Sequence, residues 1–65
     1  MKVREIIKML EENGWFLSRQ RGSHRQFHHR SKPGCVTVPG HLSDDVPRGT
    51  LTSIMRQAGL RRRKQ

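Results

Sequence analysis

Apolar residues along this chain follow a helical period at both ends and an alternating one in the middle. Val3, Ile6, Ile7 and Leu10 recur at i, i+3, i+4 and i+7, which predicts an amphipathic helix over residues 2–13. Lys2, Arg4, Glu5, Lys8, Glu11 and Glu12 fall mostly off that stripe, and Asn13-Gly14 supplies a stop. Trp15-Phe16-Leu17-Ser18-Arg19 reads as a strand with Trp15 and Leu17 on one face. Residues 20–23 then turn, and His24 to His29 reads as a second strand in a hairpin with the first. Ser31-Lys32-Pro33-Gly34 is a second turn. The β-branched run Cys35-Val36-Thr37-Val38 is a short third strand, ended by Pro39-Gly40. After a loop over residues 39–46, Leu51, Ile54, Met55 and Ala58 repeat the helical stripe. Asp44 or Asp45 is expected to cap this last helix, with Pro47 in its first turn. Gly59 is its expected stop, with Leu60 folding back over it.

The order is helix, three strands, helix. Short connections make the sheet antiparallel, and two helices with one apolar stripe each most simply cover the same face. The expected class is α+β, an αβββα arrangement with a three-stranded antiparallel sheet and both helices on one side. Trp15, Leu17, Phe27, Val36 and Val38 are expected to point at the helices. Alternation along the second strand puts Arg25 and His29 on that side with Phe27, and His24, Gln26 and His28 on the other. Residues 1–60 read as a single domain and residues 61–65 as a disordered basic tail.

Length narrows the chemistry. A chain of 65 residues buries only about 60% of its unfolded surface, so any site is expected to be an open groove rather than an internal cavity. The net charge of +9 points to a polyanionic partner. Arg61, Arg62, Arg63 and Lys64 supply four of those charges, and nine less four still leaves +5 on the rest of the chain. Cys35 is the one cysteine, so no internal disulfide is possible, which fits a reducing cytoplasm. No signal peptide or membrane-spanning stretch is read from the sequence, and the acids of the first helix argue against a membrane-surface role.

The densest chemistry lies at Gly22-Ser23-His24-Arg25-Gln26-Phe27, where a tight turn feeds a strand. Histidine is the side chain that exchanges protons near neutral pH, and here Arg19, Arg21, Arg25 and Arg30 surround it. Metal-free RNA cleavage needs a base for the 2′-OH, positive charge for the phosphorane and an acid for the leaving 5′-oxygen. His24 suits the first or the last role. Arg19, Arg21 and Arg25 are the nearest candidates to hold the phosphate, with Gly22 and Ser23 shaping the turn and adding hydrogen bonds. The start of the last helix, with Arg48 and Thr50, offers a second phosphate contact. The same loop also suits a non-catalytic module that grips RNA by shape, or a basic face made for an acidic protein. His24, His28, His29, Cys35 and His41 could in principle ligate zinc, but His24 and His28 stand about 13 Å apart along one strand. No metal site and no cofactor are assigned. No GxGxxG or GxxxxGK nucleotide loop is present. Cys35, inside a β-branched strand, reads as a small buried hydrophobe rather than a nucleophile.

Taken together, the N-terminal amphipathic helix, Gly14-Trp15, Arg19, Gly22-Ser23-His24, Phe27, Val36-Thr37-Val38-Pro39, Gly49-Thr50-Leu51, Ile54 and Ala58-Gly59-Leu60 resemble the HicA toxins, over about residues 3–60. The resemblance implies a fold like the double-stranded-RNA-binding domain and a metal-independent endoribonuclease that cleaves mRNA without the ribosome. It places the essential histidine at His24. It implies a HicB-type antitoxin partner encoded beside the gene, which covers the histidine surface and reaches operator DNA on the complex's behalf. Arg25 and His28 match positions that vary in the family and take no catalytic role from it, and the Arg-rich tail replaces more mixed ends.

Overall fold

The computed structural model describes residues 1–60, so the basic tail expected at 61–65 lies outside the described residues. Its elements are α1 (Val3–Glu12), β1 (Trp15–Arg21), β2 (His24–His29), β3 (Val36–Val38) and α2 (Arg48–Gln57). The strands form one antiparallel sheet in the order β1-β2-β3. One core joins Val3, Ile6 and Leu10 of α1, Trp15, Phe27, Val36 and Val38 of the sheet, and Ile54 and Ala58 of the α2 end. Both helices therefore pack on one sheet face, as the two apolar stripes require, and the αβββα arrangement is confirmed.

Leu17 pairs with Phe27 and so shares the helix-facing side as expected, although it remains 47% exposed. One expectation needs correction. Cys35 is exposed rather than buried, since β3 begins one residue later, at Val36.

The loop before α2 serves α1 instead of α2. Its carbonyls at Asp44 and Leu42 accept the first free α1 N–H groups, from Val3 (2.9 Å) and Arg4 (3.1 Å). Glu5 Oε1 accepts the Lys2 N–H at 2.7 Å, closing the helix start from the other side. The Asp44 carboxylate accepts the His41 N–H at 3.0 Å, and Asp45 pairs with Lys2 Nζ at 3.5 Å. Neither is left to cap α2, whose N-cap is Pro47 with no side-chain cap. The expected aspartate cap is thus corrected: Asp44 is engaged within its own loop and Asp45 by Lys2 across the chain. The far end of α2 follows the expectation. Gly59 has φ +70°, the Leu60 N–H reaches the Met55 carbonyl (2.8 Å) and the Gly59 N–H the Arg56 carbonyl (3.1 Å), while Leu60 packs on the core.

The α1–β1 junction is tighter than its sequence suggests. Gly14 has φ +92°, and a Cβ there would fall 2.6 Å from His29 Nε2. The His29 ring lies edge-on to Trp15, with centroids 5.2 Å apart. Its Nδ1 accepts the Ser31 N–H (3.0 Å) and the Lys32 N–H (3.2 Å). Its Nε2 is then the protonated nitrogen and donates to the Asn13 carbonyl at 3.0 Å. His29 is a structural clasp between the first helix and the turn after β2.

Candidate functional site on the open sheet face

The face away from the helices carries the candidate chemistry, and a β-bulge decides what stands on it. Leu17 pairs with Phe27 and Arg19 with Gln26, so β1 advances two residues while β2 advances one, and Ser18 is the extra residue. Strict alternation from Trp15 and Leu17 would turn Arg19 and Arg21 toward the helices. The bulge reverses their side, so that Arg19 stands opposite Gln26 and Arg21 opposite His24. Thr37 joins them from β3, opposite Gln26.

These five side chains, Arg19, Arg21, His24, Gln26 and Thr37, line an open groove of about 250 Å³. All three strands contribute to it. His24 is exposed and begins β2 directly after the turn. Arg21 and His24 are paired, so Gly22 and Ser23 form a two-residue hairpin loop. Gly22 has φ +58°, the left-handed value that the first central residue of a II′ turn needs. A two-residue loop leaves the His24 backbone little freedom, which fixes the imidazole's starting point beside Arg21.

The groove contains no carboxylate. The five acidic residues of the chain, Glu5, Glu11, Glu12, Asp44 and Asp45, lie on α1 or in the loop before α2, none on a strand. His24 therefore has no acidic neighbour in the groove to orient it, and its polar neighbours there are two guanidinium groups, an amide and a hydroxyl. Such a set donates hydrogen bonds to phosphate oxygens in the fork geometry of arginine, with one group able to move a proton.

The other residues expected at the site lie elsewhere. Arg25 pairs with Val38 and shares the helix-facing side with it. Its Nη1 donates to the Gly40 carbonyl at 2.7 Å and to the Ser23 carbonyl at 3.3 Å, tying the hairpin turn to the segment after β3. Arg48 and Thr50 stand at the start of α2 and are not among the residues of the groove. Gly22 and Ser23 shape the turn beneath it. Among the described residues no three His, Cys, Asp or Glu side chains gather where they could hold one metal ion.

Gln26 and Thr37 were absent from the candidates read off the sequence, although alternation reaches both. Gln26 follows His24 by two along β2, and Thr37 lies between the core residues Val36 and Val38. The bulge at Ser18 carries no comparable signal.

No curated protein matches the chain. A family model described as the HicA toxin of bacterial toxin–antitoxin systems matches residues 3–60. That span runs from the first residue of α1 to the Leu60 that closes α2, and includes every strand of the sheet and the whole groove. The chain belongs to the HicA toxin family.

Proposed function

We propose that this toxin is an endoribonuclease that cleaves mRNA at the open sheet face, with His24 as its proton-transfer residue. The observation that carries the reading is the pairing of His24 with Arg21, beside Arg19, in one groove of a toxin-family protein. The 2′-OH of the substrate attacks the adjacent phosphorus and loses its proton to a base. Arg19 and Arg21 bind the non-bridging oxygens and stabilise the extra charge of the phosphorane. The P–O5′ bond then breaks and the leaving oxygen takes a proton. The products are a 2′,3′-cyclic phosphate and a 5′-hydroxyl. His24 performs one of the two proton transfers, and solvent or a substrate group performs the other. On this reading the arginines supply the charge a metal ion would otherwise bring, and no cofactor takes part.

The antitoxin partner is of HicB type and neutralises the toxin by covering the groove. The complex acts in the cytoplasm, where mRNA is available, and meets DNA through the antitoxin. The reading is tested by incubating a long single-stranded RNA with the purified protein in excess EDTA, beside His24→Ala. Fragments with cyclic phosphate ends from the parent alone are the expected result. Intact RNA that still shifts on a native gel would replace this reading with a non-catalytic RNA-binding module.

A further inference from the structure

The open face continues past the groove at Gln26. Beyond the bulge, Phe16 stands directly opposite His28 on the same open face, and Phe16 is 46% exposed. Its neighbour Trp15 is the reverse case, 2% exposed in the core. A single exposed apolar residue is ordinary, but this one has a particular setting. It is paired across the strands with a second exposed flat ring. Residues opposite one another in an antiparallel pair have Cβ atoms about 5 Å apart, so the two side chains rise from neighbouring points of that face and together offer a platform for a flat ligand. His28 follows His24 along β2 by about 13 Å, with Gln26 midway. The platform thus prolongs the cationic groove along the strands, on a sheet with no carboxylate.

Resting on the nuclease reading above, we propose that Phe16 and His28 stack an unpaired base of the bound RNA strand, about 13 Å along β2 from His24. The charge of the face calls for a polyanion. A chain of phosphates meets Arg19 and Arg21, while an unstacked base finds the only large apolar side chain on that face of β1 and β2. Duplex RNA has its bases stacked and shows the face only backbone, so it engages the arginines and not the platform. Phe16 is a substrate-binding residue on this view, one flanking base or more away from the bond that breaks. Because its ring is half exposed and outside the core, its truncation leaves the fold in place.

The test uses the full chain carrying His24→Ala, so that bound RNA survives, with Phe16→Ala, Phe16→Leu and Phe16→Trp added singly. The probes are a short oligoadenylate, an abasic strand of the same length and a blunt RNA duplex, each titrated over a range of salt. Circular dichroism verifies the fold of each variant. Phe16→Ala and Phe16→Leu are expected to weaken oligoadenylate binding by about fivefold to a hundredfold. Phe16→Trp should keep the parent's affinity, and neither the abasic strand nor the duplex should respond to any of the three. Affinity for oligoadenylate unchanged by Phe16→Ala, or an equal loss for the abasic strand, would overturn the proposal. So would a Phe16→Ala protein that keeps its RNA affinity but loses its antitoxin, since the ring would then belong to a protein interface. RNA binding with a normal salt dependence but no dependence on Phe16 sinks this proposal alone. Absence of RNA binding even at low salt sinks the nuclease reading with it.

Discussion

Arg19 stands opposite Gln26, one step earlier than the Leu17–Phe27 pairing would place it under strict alternation. The displacement comes from Ser18, the extra residue of the bulge, and it brings two guanidinium groups to the His24 side of the sheet. Removing Ser18 does not undo this. In a chain lacking Ser18, Leu17 and Arg19 become neighbours and point to opposite faces, so Arg19 still meets Gln26 and Arg21 still meets His24, now in a regular ladder. Deletion of Ser18 is therefore expected to preserve the cross-strand proton contacts between Arg19 and Gln26 in NMR spectra, and to alter mainly the local twist. Contacts between Arg19 and Arg25 in that variant would show that the pairing is set by something other than this register.

Within the groove, proton transfer and charge should separate on mutation. His24 is exposed, so His24→Ala should melt with the parent while losing roughly 10²- to 10⁴-fold in cleavage rate. Arg19→Ala and Arg21→Ala should lower cleavage and RNA affinity together, and each should flatten the slope of log K against log salt by about 0.7. A cleavage rate unchanged by His24→Ala would remove the histidine from the chemistry.

Much of this was legible in the sequence, and the remainder had physical reasons for being hidden. The stripe Val3-Ile6-Leu10 is the buried face of α1, and the alternation on β2 places His24 and Gln26 together, because both follow from period alone. Gly59-Leu60 closes α2 as read, because a left-handed glycine followed by an apolar residue is a local motif. What escaped depends on partners outside the local pattern that suggested each role. Asp44 and Asp45 look like caps for the helix that follows them, but residues 41 and 2 engage them instead. Alternation already puts Arg25 on the helix-facing side, yet its neighbours in sequence make it look like a phosphate ligand; the Gly40 carbonyl, fifteen residues on, is what holds its guanidinium there. The bulge at Ser18 is a property of two strands together, and no residue type announces it.

Arg25 consequently has a role that can be told from phosphate binding. Its hydrogen bonds to Gly40 and Ser23 come from a charged, half-buried donor, a kind worth about 1.5–3 kcal/mol each when buried and less here. Arg25→Ala should lower the melting temperature and loosen the turn that carries His24. Cleavage should fall with stability, and the salt slope of RNA binding should change less than in Arg19→Ala. A full flattening of the slope by Arg25→Ala, with no loss of stability, would return Arg25 to the phosphate contacts.

The clasp between Gly14 and His29 gives the sharpest stability test. An alanine at residue 14 meets two independent penalties. The left-handed φ of +92° costs a non-glycine residue about 1–2 kcal/mol or more, and the new Cβ lies 2.6 Å from His29 Nε2. The ring cannot simply swing aside, since the Asn13 carbonyl holds one of its nitrogens and the Ser31 and Lys32 N–H groups the other. Gly14→Ala should thus destabilise the protein by more than the backbone term alone, about 2 kcal/mol or more in a denaturant titration. His29→Ala should itself be destabilising, through the lost clasp and the lost edge contact with Trp15. The double variant should be more stable than the sum of the two single losses predicts, because removing the ring removes the clash and leaves only the backbone penalty. Strict additivity in that cycle would mean that the backbone angle, and not the imidazole, is what reserves residue 14 for glycine.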